Sequence, residues 1–500
     1  MYYLAVHTSH HGSLTIFNDN EIIVHTQLDR FNRFKGYATV EKKLINKLKQ
    51  YSFKKIYLTG LDDNSVPLWK HCLIRNGIID ANNLYVDILL DHHKYHAYCS
   101  ALTNPTDNCI VVDGRGAIRG DSYEVFSIYN NLKNIVTYTD FNKYGLGQAY
   151  EAMRKEFGWW FGQEGNLMAL STYGKFNKDI EKEIWDKEKF NNKLNIKDDL
   201  KPELNYNYST KDKDVAKTFQ KICEKSFLSI IKEANIEKKL TITGGFAQNI
   251  INNTKLLELY DVHVDPFNND QGVTLGVANW LSHNKLKKLD TVHLGFKPEY
   301  NLNFSNNFEV QDIDIKKVAK LLIEEPIALF QGRSEQGQRG LGNRSLLINP
   351  FAQNCLEKIN TIKKREWYRP FAATITKEKL NSYFFEHNGD GRYMLFTYNV
   401  REQYKEKFKN ILSNENNCRL QVLDKNQNVN YFNLIKEQSY HTDFEIVLNT
   451  SLNLPGEPLV EDLNDLEEMI KSVVSASTAC NTSVKCVPSI LDTKCSPTLP

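Results

Sequence analysis

Three β-patterned runs occupy residues 1–27: YYLAVHTS, GSLTIF and IIVHTQ, the last two separated by the turn NDNE. β-Branched and aromatic residues within the runs, with Asn and Asp at the corner, predict strands joined by a tight turn. A chain that opens this way must bury a sheet, which excludes an all-helical architecture. Further strands are predicted at KKIYLTG, LYVDIL and CIVVDG, and between residues 145 and 260 helical stretches such as DVAKTFQKICEKSFLSIIKEA alternate with the strand LTITGG. The predicted class is α/β.

At 500 residues the chain is too long for one core of ordinary size, so two or more domains are expected. Charged and Asn-rich text from about Lys285 to Phe308 carries little periodicity and reads as a connection. A second unit follows, through the helix IDIKKVAKLLIEE and the strands PIALF, RYMLFTYNV and EIVLNT. No internal repeat occurs at solenoid spacing. From residue 473 the text turns small, Ser/Thr-rich and Pro-interrupted, and a loose tail is expected. Its Cys480, Cys486 and Cys495 lack the paired spacing of a zinc site.

The charge balance, 63 basic against 61 acidic side chains, provides no global field for nucleic acid. No stretch approaches the eighteen or so apolar residues of a membrane span, and no basic leader with an apolar core opens the chain, so a cytoplasmic protein with no membrane partner is expected. Nine scattered cysteines without a C-x-x-C pair read as reduced thiols.

Four stretches have the composition of chemistry. GRSEQGQRGLGNRS, residues 332–345, holds three arginines and four glycines, as a polyanion gripped by guanidinium and backbone N–H groups would require. Gly332 and Gly337 have the spacing of a phosphate loop, but Gln338 stands where its lysine should be, so this is not a Walker motif. KKREWYRPFAA adds Lys363, Lys364, Arg365 and Arg369, read as part of an anion pocket in preference to a nucleic-acid patch or a solvated helix end. DHHKYHAY places His92 and His96 on one helical face at ligand spacing, though such pairs are more often surface or packing residues. Asp113, directly after a strand, and Asp270, in a Gly-containing turn, would supply carboxylates, and each also reads as an ordinary turn residue. TGGFAQN is either a tight strand-to-helix turn or a ligand loop, and NTSLNLPGEP an Asn/Ser/Gly loop.

Together with EGNLMALSTYG, these words in this order resemble the nodulation and antibiotic-tailoring O-carbamoyltransferases, from His11 to about Leu466. The resemblance implies an actin-like, ASKHA-type domain over 1–300 and a YrdC-like domain over 301–472, with 473–500 as the tail. It implies that carbamoyl phosphate and ATP form carbamoyl adenylate in the second domain. The first domain then passes the carbamoyl group to an acceptor hydroxyl, on a small molecule such as a sugar or natural product, or alternatively on a nucleotide or base in DNA. A non-catalytic nucleotide-binding protein and an actin-like kinase are the other classes the residues admit.

Carried over by position, Arg333, Arg339, Arg344, Lys363, Arg369, Arg419, Asn449 and Ser451 would bind carbamoyl phosphate and ATP, and Gly244, Gly245 and Asn249 the nucleotide. His92, His96, Asp113 and Asp270 would hold a divalent metal, iron(II) or alternatively magnesium. His11 would be the base for the acceptor hydroxyl, with His10 in reserve. Acceptor specificity is expected in residues 20–60 and 175–215. The chain departs from the pattern at Ser13, Gln338, Gly340, Ala373 and Leu452, where Pro, Pro, Ala, Pro and Phe are expected, and at Ser413, where a histidine is expected.

Overall fold

The computed structural model describes residues 1–60, 65–88, 91–104, 106–160, 162–185, 206–300, 314–479 and 487–490. The opening runs form β1 (Tyr2–His7), β2 (Ser13–Phe17) and β3 (Ile22–Gln27), joined by β4 (Phe53–Gly60) and β5 (Leu84–Ile88) into a sheet of order β3-β2-β1-β4-β5. β1 pairs antiparallel with β2 and parallel with β4. The next strands are β6 (Asn108–Val112), a small hairpin of β7 (Ile118–Arg119) and β8 (Ser122–Tyr123), β9 (Phe126–Asn130), β10 (Lys133–Tyr138), β11 (Lys239–Thr243) and β12 (Asp261–Val264). Apart from the hairpin they form a second sheet, β10-β9-β6-β11-β12, with the same order and the same parallel and antiparallel pairings. The fold therefore carries a topological duplication that the sequence does not show as a repeat.

Every residue of β6 is buried, as expected of a strand covered on both faces. Helices His92–Thr103 and Val273–Leu281 pack against each other so closely that a Cβ at Gly276 would lie 1.8 Å from Tyr95 O. Only glycine permits that approach.

A third sheet has the order β16-β17-β15-β18-β14-β13-β19. Its strands are β13 (Ile327–Phe330), β14 (Arg344–Ile348), β15 (Ala372–Thr376), β16 (Thr397–Asn399), β17 (Asn417–Leu423), β18 (Ile446–Ser451) and β19 (Val487–Ile490). The fold is mixed α/β. One apolar cluster runs through both halves of the chain, from Ala5 and Val112 to Leu346 and Leu448.

Three expectations change. RYMLFTYNV is a strand only over Thr397–Asn399, because a 3-10 turn at Gly391–Tyr393 and a left-handed Met394 interrupt it. Residues 473–479 continue the helix Leu463–Ala479, and β19 pairs parallel with β13, so these parts of the expected tail are ordered elements. Residues 480–486 and 491–500 lie outside the described residues, as do 301–308 of the connection and 186–205 of the expected acceptor segment. Residues 20–60 supply β3, helix Lys42–Leu48 and β4, which makes much of that stretch sheet framework. No helix among the described residues is long and apolar enough to cross a membrane.

Candidate metal centre and anion pocket

Parallel strands of an α/β sheet present their carboxyl ends as a crevice. Asp113 follows β6, and Asp270 lies in the turn between β12 and helix Val273–Leu281. Helix His92–Thr103 brings His92 and His96 to the same point. All four side chains are buried, and one ligand atom from each falls within 4.8 Å of the others. His92 Nε2 lies 3.0 Å from Asp113 Oδ2, 3.3 Å from Asp270 Oδ1 and 3.3 Å from His96 Nε2. His96 Nε2 lies 3.5 Å from each of the same two oxygens.

Ligands at about 2.1 Å from a tetrahedral ion stand about 3.4 Å apart, so these spacings fit one cation. Burial opposes charge on both imidazoles, but the Asp270 and Asp113 carboxylates outweigh it, raising His92 to about 10 and His96 above its ordinary range. Burial and Asp270 would raise the Asp113 carboxyl, yet His92 and His96 hold it well below the carboxylate range.

The double glycine supports this point. Gly244 has φ +91°, and a Cβ there would meet Val112 O at 2.3 Å. Gly245 N–H donates to Asp113 Oδ1 at 3.1 Å and Gly114 N–H at 2.9 Å, which orients the carboxylate. Asn249 is engaged locally: its Oδ1 accepts from Asn252 N as a helix cap, and its amide donates to Gln220.

His11 sits in the turn after β1 with φ 52°. Its N–H donates to Gly36 O at 2.9 Å. Burial, reinforced by His10, lowers it to about 4, so at neutral pH it is an unprotonated imidazole.

The arginine-rich loop divides its labour. Arg344 is fully buried, and its guanidinium donates to the carbonyls of Gln331, Asn343, Val460 and Glu461 at 2.8–3.1 Å while lying over Phe330. Arg333 donates to Gly295 O at 2.6 Å and to the carbonyls of Ile23 and Leu294. Arg333 ties the loop to the first half of the chain and Arg344 ties strands and loops within the second, and the structure does not bring either to a ligand-facing position. Glu335 fastens the loop by accepting from the backbone N–H groups of Leu341, Asn343 and Arg344. Gly340, where alanine was expected, is required: a Cβ there would lie 2.7 Å from Arg344 O and 2.9 Å from Ser451 Cα.

Arg339 points elsewhere. Burial, then Arg419 and Arg369, lowers its pKa far below the arginine range. Burial and Arg369 lower Arg419 to about 10, and burial followed by Arg365 depresses Lys363. Arg365, half-buried and stacked on Phe371, belongs to the same cluster, as does Lys35 from the first half of the chain, whose side chain is exposed and which is lowered by desolvation and then by Arg369. Six cations thus meet in one place. Glu366 pairs directly with Arg369 at 2.9 Å, while Asp29, Glu164 and Glu457 act only at longer range.

Lys363 is buried, and its Nζ donates to Ser451 O, Asn453 O and Asn453 Oδ1 at 2.7–2.8 Å, so Ser451 and Lys363 are neighbours. Asn449 is buried, its amide shared among Gly340 O, Thr374 and Gln421. Ser413 bonds to Asn417, in the turn before the strand that carries Arg419. Lys35 was missed from sequence, although DRFNRFKG interleaves cations and aromatics much as KKREWYRPF does.

A narrow cleft, with an accessible volume of only about 20 Å³, lies between neighbours of the two constellations. Asn268, Asn269 and Gln271, flanking Asp270, line one side, and Gln336, Gly337 and Arg339 the other. Gln27 fixes the loop across this space, its backbone N–H donating to Gln336 Oε1 and its side chain to Gly337 O.

Comparison with known proteins agrees with this organisation. Residues 19–279 match the family model described as Carbamoyltransferase N-terminus, and 318–482 match Carbamoyltransferase C-terminus. An uncharacterized protein of Methanocaldococcus jannaschii is 25% identical over 91% of this chain and 94% of its own. Nodulation protein NolNO of Sinorhizobium fredii is 25% identical over 91% of this chain and 76% of its own. Nodulation protein NolO of Bradyrhizobium diazoefficiens is 27% identical over 75% of each chain. Among solved structures, full-length HypF in a phosphate- and nucleotide-bound form is 12% identical with a TM-score of 0.35, over 56% of this chain and 55% of its own. Both halves matched in order over most of its length, the chain belongs to the carbamoyltransferase family.

Proposed function

We propose that this protein is an ATP-dependent O-carbamoyltransferase acting on a small-molecule hydroxyl. The observation that carries the reading is the cluster of Lys35, Arg339, Lys363, Arg365, Arg369 and Arg419, whose mutual repulsion is relieved by a polyanion. Two like charges about 4 Å apart cost about 4 kcal/mol at the effective dielectric of a protein surface, so several such pairs need a matching anion. ATP and carbamoyl phosphate supply it.

In this reading carbamoyl phosphate, ATP and water yield carbamoyl adenylate, pyrophosphate and phosphate within the arginine cluster. The guanidinium and ammonium groups offset charge on the phosphoryl oxygens as bonds change. Carbamoyl adenylate then passes to the histidine and aspartate constellation, with Gln336, Arg339, Asn269 and Gln271 lining the cleft between the two. The acceptor hydroxyl attacks the carbamoyl carbon, His11 takes its proton, and AMP departs to leave the O-carbamoyl ester.

His92, His96, Asp113 and Asp270 would hold a divalent cation, and its chemistry there is Lewis-acid stabilisation of the departing phosphate. Two imidazoles in the donor set favour an iron(II)-type ion over magnesium. We further assign residues 1–300 to an ASKHA-type unit, supported by the duplicated sheet order, and 301–472 to a YrdC-like unit. The cytoplasm, where ATP is available, is the compartment of this reading. It suits the free thiols of Cys72, Cys99, Cys109, Cys223, Cys355 and Cys418.

The test is pyrophosphate release from ATP with and without carbamoyl phosphate, beside an Arg369→Ala control. Release that requires carbamoyl phosphate and collapses in the control is expected. Equal release with both substrates in the control, or ADP as the product, would sink the proposal.

A further inference from the structure

His7 ends β1 and is fully buried, yet neither of its ring nitrogens has a hydrogen-bond partner. A buried polar group left so loses its water contacts with nothing in return, and a merely structural core histidine would be satisfied. Its Nε2 lies 3.9 Å from Asp270 Oδ2. His10 Nε2, on a half-exposed side chain, approaches the same oxygen to 3.1 Å. The other oxygen of that carboxylate, Oδ1, faces His92 and His96 at 3.3 and 3.5 Å. Asp270 therefore offers one oxygen to each of two histidine pairs.

We propose that Asp270 is a bridging carboxylate, and that His7, His10 and Asp270 Oδ2 form a second divalent-cation position beside the four-residue centre. The inference rests on reading His92, His96, Asp113 and Asp270 as a metal site, and the family resemblance assigns no metal role to His7 or His10. Cations that share a carboxylate stand about 3.5–4 Å apart, a spacing that the two oxygens of one group supply. Two imidazoles and one carboxylate suit manganese, iron or zinc. The buried His7 fixes one ligand direction, while the exposure of His10 leaves coordination positions open to water, a phosphate oxygen or the acceptor hydroxyl.

The experiment loads metal-free, full-length protein with Mn(II), counts bound metal per chain and records its electron paramagnetic resonance. Wild type is expected to bind about two ions with an exchange-coupled spectrum. His10→Ala and His7→Gln are each expected to bind about one, with the spectrum of an isolated ion. His10→Ala replaces a half-exposed side chain, so its thermal melting should match wild type and keep the count interpretable. One ion in wild type, or two in both variants, overturns the second position while leaving the first. No bound ion overturns both.

Discussion

Around Asp270 and Asp113 each charge meets its opposite within a few ångströms, whereas around Arg339 six cations have one directly paired carboxylate, Glu366. The first arrangement is balanced within the protein and is built to hold a small cation. The second leaves an excess of positive charge, which the proposed function assigns to an anionic ligand. A further contrast lies inside one loop: Arg339 faces the cluster, while Arg333 and Arg344, five or six residues away, are consumed by backbone carbonyls. Identical side chains at similar spacing thus serve ligand binding or architecture according to what the fold places opposite them.

The largest expected effect separates the two regions. Arg339→Ala should lower carbamoyl-phosphate-dependent pyrophosphate release by about 100-fold or more, with bound metal unchanged by elemental analysis. Loss of both together would show that the sites are not independent. The reciprocal change, Asp113→Asn, should weaken metal binding by more than the roughly 10–100-fold that loss of an outer-sphere partner costs and abolish acceptor carbamoylation, with pyrophosphate release retained.

Arg344→Ala tests architecture against ligand binding. It should cost about 3 kcal/mol of stability, because several buried carbonyls lose their donor at once. Pyrophosphate affinity of the folded fraction, read by calorimetry, should not change. A large loss of affinity without a fall in melting temperature would return Arg344 to the anion pocket.

The smallest effect concerns pH. Burial lowers His25 to about 3, and it pairs with Thr15 in the first sheet. The unfolded chain takes up a proton near pH 6.5 that the folded chain refuses, so this contribution to stability is present above 6.5 and falls as pH drops toward 3. Acid should therefore loosen the first sheet, seen as faster amide exchange in β2 and β3, and His25→Gln should flatten the slope.

The β-branched and aromatic runs of β1, β2 and β3 and the long amphipathic helix over Thr210–Glu233 were legible because local residue preference and tertiary burial agree there. RYMLFTYNV was misread because its apolar run, through Met394, Leu395 and Phe396, fills the core from irregular backbone. The spacing of His92 and His96 gave the pair but not the carboxylates, since Asp113 and Asp270 arrive from other strands. Lys35 escaped because nothing local ties a loop after β3 to arginines three hundred residues on.

By itself the sequence determined an α/β chain with an N-terminal sheet, a histidine pair on one helical face and an arginine-rich, glycine-punctuated loop, since each depends on residues near one another in the chain. Tertiary structure alone decided which arginines remain for a ligand, that Asp270 offers an oxygen to each of two histidine pairs, and that Lys35 joins the anion pocket. These depend on distances between segments far apart in sequence, and a charge acquires its role only from what lies within a few ångströms of it.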